Sequence, residues 1–355
     1  MTYRLPNAGR TPMPHSPPTV SVVVPCRNEH QYIERCLSSI LATTYPKDRL
    51  QVLVVDGMSE DGTREIVEQY AGREPIVQLL TNRNRSVPTA LNIGIARASG
   101  EIILRMDAHS HYPPDYIPGL VDWLVRTAAD NVGGAAVTLP GGGTATASAI
   151  ATALSHPFGV GNARFRLGTA EPRTVDTVPF GCFRRDVFER FGGFDEELVR
   201  NQDDEFNFRI TRAGGRVLLV PGVVSYYYAR GSLRQLARMY YQYGYFKPLV
   251  ARKIGGIMTV RQLVPPLFVA SLLLAVVLAP WLSAARTLGA VVAACYAAAD
   301  IAVSAVLGSR HGLRVGLVLL LVFPLLHVTY GWGFLRGCAD FLLLGRRGRD
   351  VPLTR

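Results

Sequence analysis

The sequence predicts an α/β domain with a mainly parallel sheet, followed by transmembrane helices. Three observations carry this. Short β-branched runs alternate with amphipathic helical patterns between residues 20 and 222, as strands joined by helical crossovers do. Acidic residues, Asp56 and Asp107, stand at the carboxyl ends of two of those runs. Three apolar runs of about 20 residues each fill about half of the C-terminal third.

Val20 to Pro25 is β-branched and stops at a proline, as a buried parallel strand would. A helix follows with Ile33, Leu37, Ile40 and Leu41 on one face. Leu50 to Val55 is the next strand and ends at Asp56-Gly57. Asp61 or Thr63 can cap a second helix, whose apolar face is Ile66, Val67 and Tyr70. After a short strand, Val77 to Leu80, a helix runs from Pro88 to Ala98 with Gly100 beyond its end. Glu101 to Met106 is a strand that ends at Asp107. In such sheets ligands sit at the carboxyl ends of the strands. The Gly-, Ala-, Ser- and Thr-rich stretch from Gly133 to Gly168 reads as a partly ordered substrate loop.

The C-terminal runs are Leu263 to Trp281, Leu288 to Leu307 and Val315 to Phe334. They lack the polar outer face of a soluble bundle. The division is therefore a disordered segment over 1–19, a catalytic domain over 20–230, an amphipathic interfacial segment over 231–262, a transmembrane region of about three helices over 263–345, and a basic tail over 346–355. Residues 1–19 have no apolar signal-peptide core, so the catalytic domain is expected in the cytosol. With three crossings the tail carrying Arg346, Arg347 and Arg349 lies opposite that domain, whereas the positive-inside rule prefers it in the cytosol beside Arg252, Lys253 and Arg261. The net charge of +11 suits an anionic membrane face or phosphorylated substrates, and no nucleic-acid motif is present. Five cysteines without a CxxC pair point to reduced thiols.

Four motifs carry chemistry. Pro25, Arg27, Asn28 and Glu29 follow the first strand, where a carboxylate and amides can bond a base or ribose. Asp56 opens Asp56-Gly-Met-Ser-Glu-Asp61-Gly-Thr63 and can accept from the same groups, although Asp-Gly is also ordinary turn chemistry. Asp107 and His109, two residues apart at a strand end, can bind a divalent cation that bridges a diphosphate. Asp203, Asp204 and Glu205 open a helix that Gly214 can terminate, and acidic residues are favourable there with no function at all.

In this order the motifs resemble family 2 glycosyltransferases of the GT-A fold, which act on nucleotide-diphosphate sugars. The likeness extends through Ala90-Leu-Asn92-x-Gly94. Four strings are similar to the succinoglycan-biosynthesis branch: Arg105 to Tyr116, Gly159 to Phe165, Phe180 to Arg185, and Gly192 to Glu196. The resemblance implies inverting transfer of a sugar, with a UDP-sugar as the expected donor, and a membrane-associated C-terminal part. It puts Pro25, Arg27, Asn28, Glu29 and Asp56 in the nucleotide pocket and Asp107 at a divalent cation, Mn²⁺ or Mg²⁺. His109 stands where the wider family often has Asp; it is either a second metal ligand, which would favour Mn²⁺, or a phosphate contact. Asp203 takes the place of the general base, with Asp204 its rival, and Gln202 replaces the family's neighbouring Glu. Arg209 resembles a family motif position or lies on a solvated helix face. Gln235 and Arg238 match part of the Gln-x-x-Arg-Trp motif of processive synthases, with Met239 in place of the tryptophan. That substitution favours addition of one sugar and leaves these two residues as acceptor-site or interfacial positions. The basic and aromatic stretch around them suits a membrane surface.

The expected function is transfer to a lipid-linked saccharide acceptor at the cytosolic face of the inner membrane, in exopolysaccharide or cell-envelope glycan synthesis. The alternatives are a polyprenyl-phosphate sugar synthase and a membrane protein that binds nucleotide sugars without turnover.

Overall fold

A computed structural model describes residues 16–256 and 259–348. The proposed lead-in before residue 16 and the tail beyond residue 348 lie outside that range. In chain order the elements open with β1 (Val20–Cys26), α1 (Ile33–Leu41), β2 (Leu50–Asp56), α2 (Thr63–Arg73), β3 (Val77–Thr81), α3 (Val87–Arg97) and β4 (Ile102–Arg105). Then come β5 (Ser110–His111), α4 (Tyr116–Thr127), β6 (Asn131–Leu139), α5 (Ala145–Leu154), α6 (Pro157–Val160) and α7 (Arg164–Leu167). β7 (Arg173–Thr174), β8 (Cys182–Arg184), α8 (Arg185–Phe191), α9 (Gln202–Arg212) and β9 (Val217–Tyr228) follow, and the chain ends in α10 (Leu233–Ile254), α11 (Val264–Leu278), α12 (Ser283–His311) and α13 (Leu313–Gly337).

The chain forms two compact units. Among the described residues the first comprises 16–137 and 164–227 and is built on a mixed sheet. Its first half is parallel, in the order β3-β2-β1-β4, as the helical crossovers require. Its second half is antiparallel where β8 pairs with β4 and β6, and where β5 and β7 pair with β9. β1 and β2 are almost wholly buried, which is why they read as continuous apolar runs. α3 lies tightly on β1: a Cβ at Gly94 would come within 2.3 Å of Val23 Cγ1. An aromatic cluster of Phe183, Phe188, Phe194 and Phe206 joins β8, α8 and α9.

The second unit comprises, among the described residues, 138–163, 228–256 and 259–348. Three of its helices, spanning Val260–Leu278, Ser283–His311 and Leu313–Leu343, are long and apolar enough to cross a membrane. They meet through small residues, as membrane helices do where backbones approach closely. A Cβ at Gly308 would meet the Gly316 Cα at 2.9 Å. One at Gly333 or Gly337 would meet the Tyr241 or Tyr245 carbonyl oxygen at 2.2 Å, so α10 lies flush along the end of α13. Asp340, 2% exposed, accepts from the Tyr245 hydroxyl (2.8 Å) and pairs with Arg336 (3.1 Å) and Arg346 (3.4 Å), while Arg252 donates to the Phe341 carbonyl (2.6 Å).

The stretch expected to be a substrate loop differs from that reading. Residues 131–139 form β6 and 145–154 form α5, whose Thr144 cap accepts from Ala147 N–H (3.1 Å). α5 packs on α13, with Ala147, Ala149, Ile150, Ala153 and Leu154 buried. Its small side chains serve close helix packing rather than chain mobility.

Candidate active site

The first two motifs are laced into one surface at the carboxyl ends of β1 and β2. The Asn28 N–H donates to Ser59 Oγ (2.9 Å), and Asn28 Oδ1 accepts from the Glu60 N–H (3.0 Å). The Glu29 N–H donates to Thr63 Oγ1 (2.8 Å), and the His30 N–H to Asp61 Oδ2 (3.1 Å). Asn28 and Met58 have φ of 53° and 60°, so each loop folds back tightly toward the other. Pro25 is the penultimate residue of β1 and is half-buried. Asp56 is fully enclosed: its carboxylate accepts from the Ser59 hydroxyl (2.6 Å) and lies 3.4 Å from an Arg64 nitrogen. Arg27 Nε is buried without a hydrogen-bond partner, an orphan donor that an anionic ligand would satisfy.

Glu29 is buried, and its carboxylate lies 3.3 Å from His109 Nδ1, which leaves Nε2 as the ring nitrogen open to a ligand. The first motif thus meets the third. The His109 ring stands edge-on to Tyr227 at 5.2 Å, and the Arg166 guanidinium covers the same tyrosine at 5.5 Å.

Asp107 follows β4 with its backbone fixed by a side chain: the Tyr112 hydroxyl accepts from the Asp107 N–H (2.7 Å) and donates to the Asp107 carbonyl (3.1 Å). Arg105, the last residue of β4, lies two residues earlier. Its Nε and Nη2 donate to Asp107 Oδ1 at 3.1 and 3.0 Å, and its Nη1 donates to Asp203 Oδ1. One guanidinium therefore joins the last residues of a central strand to the first turn of α9. Burial pushes the Asp203 carboxyl up from the ordinary carboxylate value, and the Arg105 guanidinium opposes this without cancelling it. Asp204 is half-buried beside it.

Among the described residues no three His, Cys, Asp or Glu side chains converge as a metal cage. The donor set still fits a hard divalent cation of the kind that borrows phosphate and water oxygens. Asp107 Oδ2 carries no hydrogen bond among the described residues, and the orphan Arg27 Nε awaits an anion in the same unit.

The model of "Glycosyl transferase family 2" matches residues 21–192. The chain is 31% identical to the succinoglycan biosynthesis protein ExoA of Rhizobium meliloti, over 90% of this chain and 95% of that one. The chain belongs to glycosyltransferase family 2. A second family relative, from Methanococcus voltae, is a dolichyl N-acetyl-alpha-D-glucosaminyl phosphate 3-beta-D-2,3-diacetamido-2,3-dideoxy-beta-D-glucuronosyltransferase, 26% identical over 66% of this chain and 74% of that one. The fold is GT-A, as in the mannosyltransferase PcManGT from Pyrobaculum calidifontis, solved in complex with GDP-Man and Mn²⁺. That structure covers 92% of this chain, with 89% of its own length aligned, at a TM-score of 0.59 and 23% identity.

Two positions of the glycosyltransferase 2 pattern have structural reasons of their own. Asn92 holds the Gly192–Glu196 loop: its Nδ2 donates to the Phe194 carbonyl and Glu196 Oε1 (both 2.9 Å), and its Oδ1 accepts from the Phe194 N–H (2.8 Å). Arg209 is no solvated ornament of α9. It donates to Glu205 (2.6 and 2.9 Å) and the Gly193 carbonyl (2.7 Å), so it clamps that loop from the other side. Gln235 and Arg238 are exposed on the first turns of α10, where Ser232 caps the helix by accepting from the Gln235 N–H (3.3 Å). Arg105 and Tyr112 were not singled out from the sequence. The signal for Arg105 was its period-two spacing from Asp107; Tyr112 had none.

Proposed function

We infer that the protein transfers one sugar, with inversion, from a nucleotide-diphosphate sugar to a lipid-linked saccharide in exopolysaccharide or cell-envelope glycan synthesis. The observation that carries this is the Arg105 bridge, which brings a strand-end carboxylate, Asp107, and a helix-start carboxylate, Asp203, to opposite sides of one guanidinium. Asp107, with His109 as a second donor, would hold a Mn²⁺ or Mg²⁺ ion on the diphosphate. Such an ion supplies charge neutralisation of the departing nucleoside diphosphate. Arg27 would meet the phosphates or ribose, and the laced turns at Asn28, Glu29 and Asp56 would shape the base pocket.

Asp203 is the general base of this reading. The acceptor hydroxyl oxygen forms a bond to the anomeric carbon as the carbon–oxygen bond to the diphosphate breaks. The electron pair leaves with the nucleoside diphosphate, and the hydroxyl proton passes to the Asp203 carboxylate. Asp203 Oδ1 is held by Arg105, which leaves Oδ2 for the proton.

The acceptor reading draws on the Rhizobium and Methanococcus relatives, whose names speak of glycan assembly and of a dolichyl phosphate-linked sugar. The apolar helices support an inner-membrane enzyme. Nucleotide sugars are charged and do not cross bilayers unaided, which favours a cytosolic donor site. The test is to supply the full-length protein in lipid with UDP- and GDP-sugars, Mn²⁺ and membrane lipid extract. Release of nucleoside diphosphate with growth of a lipid-linked glycan supports the reading. A single sugar on polyprenyl phosphate would make the protein a polyprenyl-phosphate sugar synthase, and binding without release would make it a sugar-nucleotide-binding protein.

A further inference from the structure

Arg105 is the side chain on which both acidic positions converge, and it is 10% exposed. It takes Oδ1 from each carboxylate. Neither Asp107 Oδ2 nor Asp203 Oδ2 has a hydrogen bond among the described residues. Two carboxylates and one guanidinium leave a single net negative charge, and the positive centre stands directly against Asp107 through its Oδ1.

A divalent cation arriving without a donor therefore meets an obstacle. Even at the open Asp107 Oδ2 it must sit beside a fixed positive charge, which at about 4 Å lowers its affinity roughly tenfold or more even in a water-like dielectric. A nucleoside diphosphate changes the balance, because it adds at least two negative charges and several oxygen ligands at the same place.

We propose that Arg105 is a resident counter-ion of the site: it offsets part of the negative charge of Asp107 and Asp203 in the absence of donor, and so makes uptake of the divalent cation depend on the diphosphate. The proposal rests on the transferase reading, in which Asp107 faces the cation. Arg105 is a positioning residue here, since it acts through the two carboxylates. When the diphosphate-bound cation engages Asp107, Arg105 keeps its contact with Asp203 and holds that carboxylate in place beside the reacting carbon.

The test is Mn²⁺ binding to the full-length protein in lipid nanodiscs, read by electron paramagnetic resonance, with Mn²⁺ alone and with Mn²⁺ plus UDP or GDP. The wild type should bind Mn²⁺ weakly alone and tightly with nucleotide. Arg105→Gln should bind Mn²⁺ alone roughly tenfold more tightly and depend much less on nucleotide. Equal affinity for Mn²⁺ alone in the wild type and Arg105→Gln overturns the proposal. If Arg105→Gln does not unfold cooperatively, Arg105→Lys carries the test. It keeps the charge but loses the fork, so a smaller gain of the same sign is expected, and no gain overturns the proposal. Asp107→Asn separates this from the parent reading: if it leaves nucleotide-dependent Mn²⁺ binding intact, the transferase reading of Asp107 fails whatever Arg105 does.

Discussion

Arg105 and Asp203, 98 residues apart in the chain, form an ion pair between the end of β4 and the first turn of α9. The same guanidinium holds Asp107. This pairing ties the carboxylate proposed to take a proton to the one proposed to face the donor, and it opposes the upward push of burial on the Asp203 carboxyl.

The first expected outcome follows from that. Burial raises the Asp203 carboxyl, and Arg105 lowers it in part. The active form of a base is the ionised one, so activity is present above the Asp203 pKa and is lost as pH falls through it. The acid limb of turnover should therefore lie at higher pH than an ordinary aspartate would give. Arg105→Gln removes the lowering influence, so its acid limb should move to still higher pH. A pH–rate profile measures both, and a limb that stays put or moves down in Arg105→Gln contradicts the assignment.

Asp107 depends on Tyr112 for its backbone position. Tyr112→Phe removes a hydroxyl that both accepts from and donates to that backbone, and leaves a buried N–H unpaired. The expected cost is about 1–3 kcal/mol of stability. Donor affinity should fall with it, because the Asp107 carboxylate is no longer held. Thermal unfolding and nucleotide titration of the variant check both effects, and an unchanged donor affinity would mean that β4 alone fixes Asp107.

Much of this was legible from residue order. β1, β2 and β4 announce themselves by β-branched runs, and the acidic residues at their ends mark the site side of the sheet. What could not be read is long-range. Arg105 finds Asp203 across 98 residues, and Asn92 finds the Phe194 backbone across 102. β8 has three residues and β5 two, too few for a period to register, so the antiparallel half of the sheet was hidden. The Ala- and Thr-rich α5 reads as a loop because small residues are common in turns, yet small residues also let helices approach closely.

The glycine seam between α10 and α13 should be intolerant of side chains. A Cβ at position 333 would stand 2.2 Å from the Tyr241 carbonyl oxygen, which is backbone and cannot turn aside. Gly333→Val should destabilise the helical unit by about 1–3 kcal/mol. A thermal melt in detergent measures this; a melting point equal to the wild type's would show that the two helices can part freely.

Three apolar helices with Leu273, Leu274, Val277, Leu288 and Leu317 exposed need lipid around them. The protein should sediment with membranes and stay there in high salt and in carbonate at alkaline pH. Quantitative release by carbonate would leave only the basic and aromatic face of α10 as a surface contact.

The central claim is that Asp203 accepts the proton of the attacking hydroxyl. Turnover and donor affinity of Asp203→Asn, measured beside Asp204→Asn, test it most directly. Asp203→Asn keeps the shape and removes the proton acceptor, so turnover should fall by about 10²–10⁴-fold while donor affinity stays nearly level. Asp204→Asn should keep most of its activity. Near-normal turnover in Asp203→Asn with an inactive Asp204→Asn would move the base by one residue, and full activity in both would contradict the account.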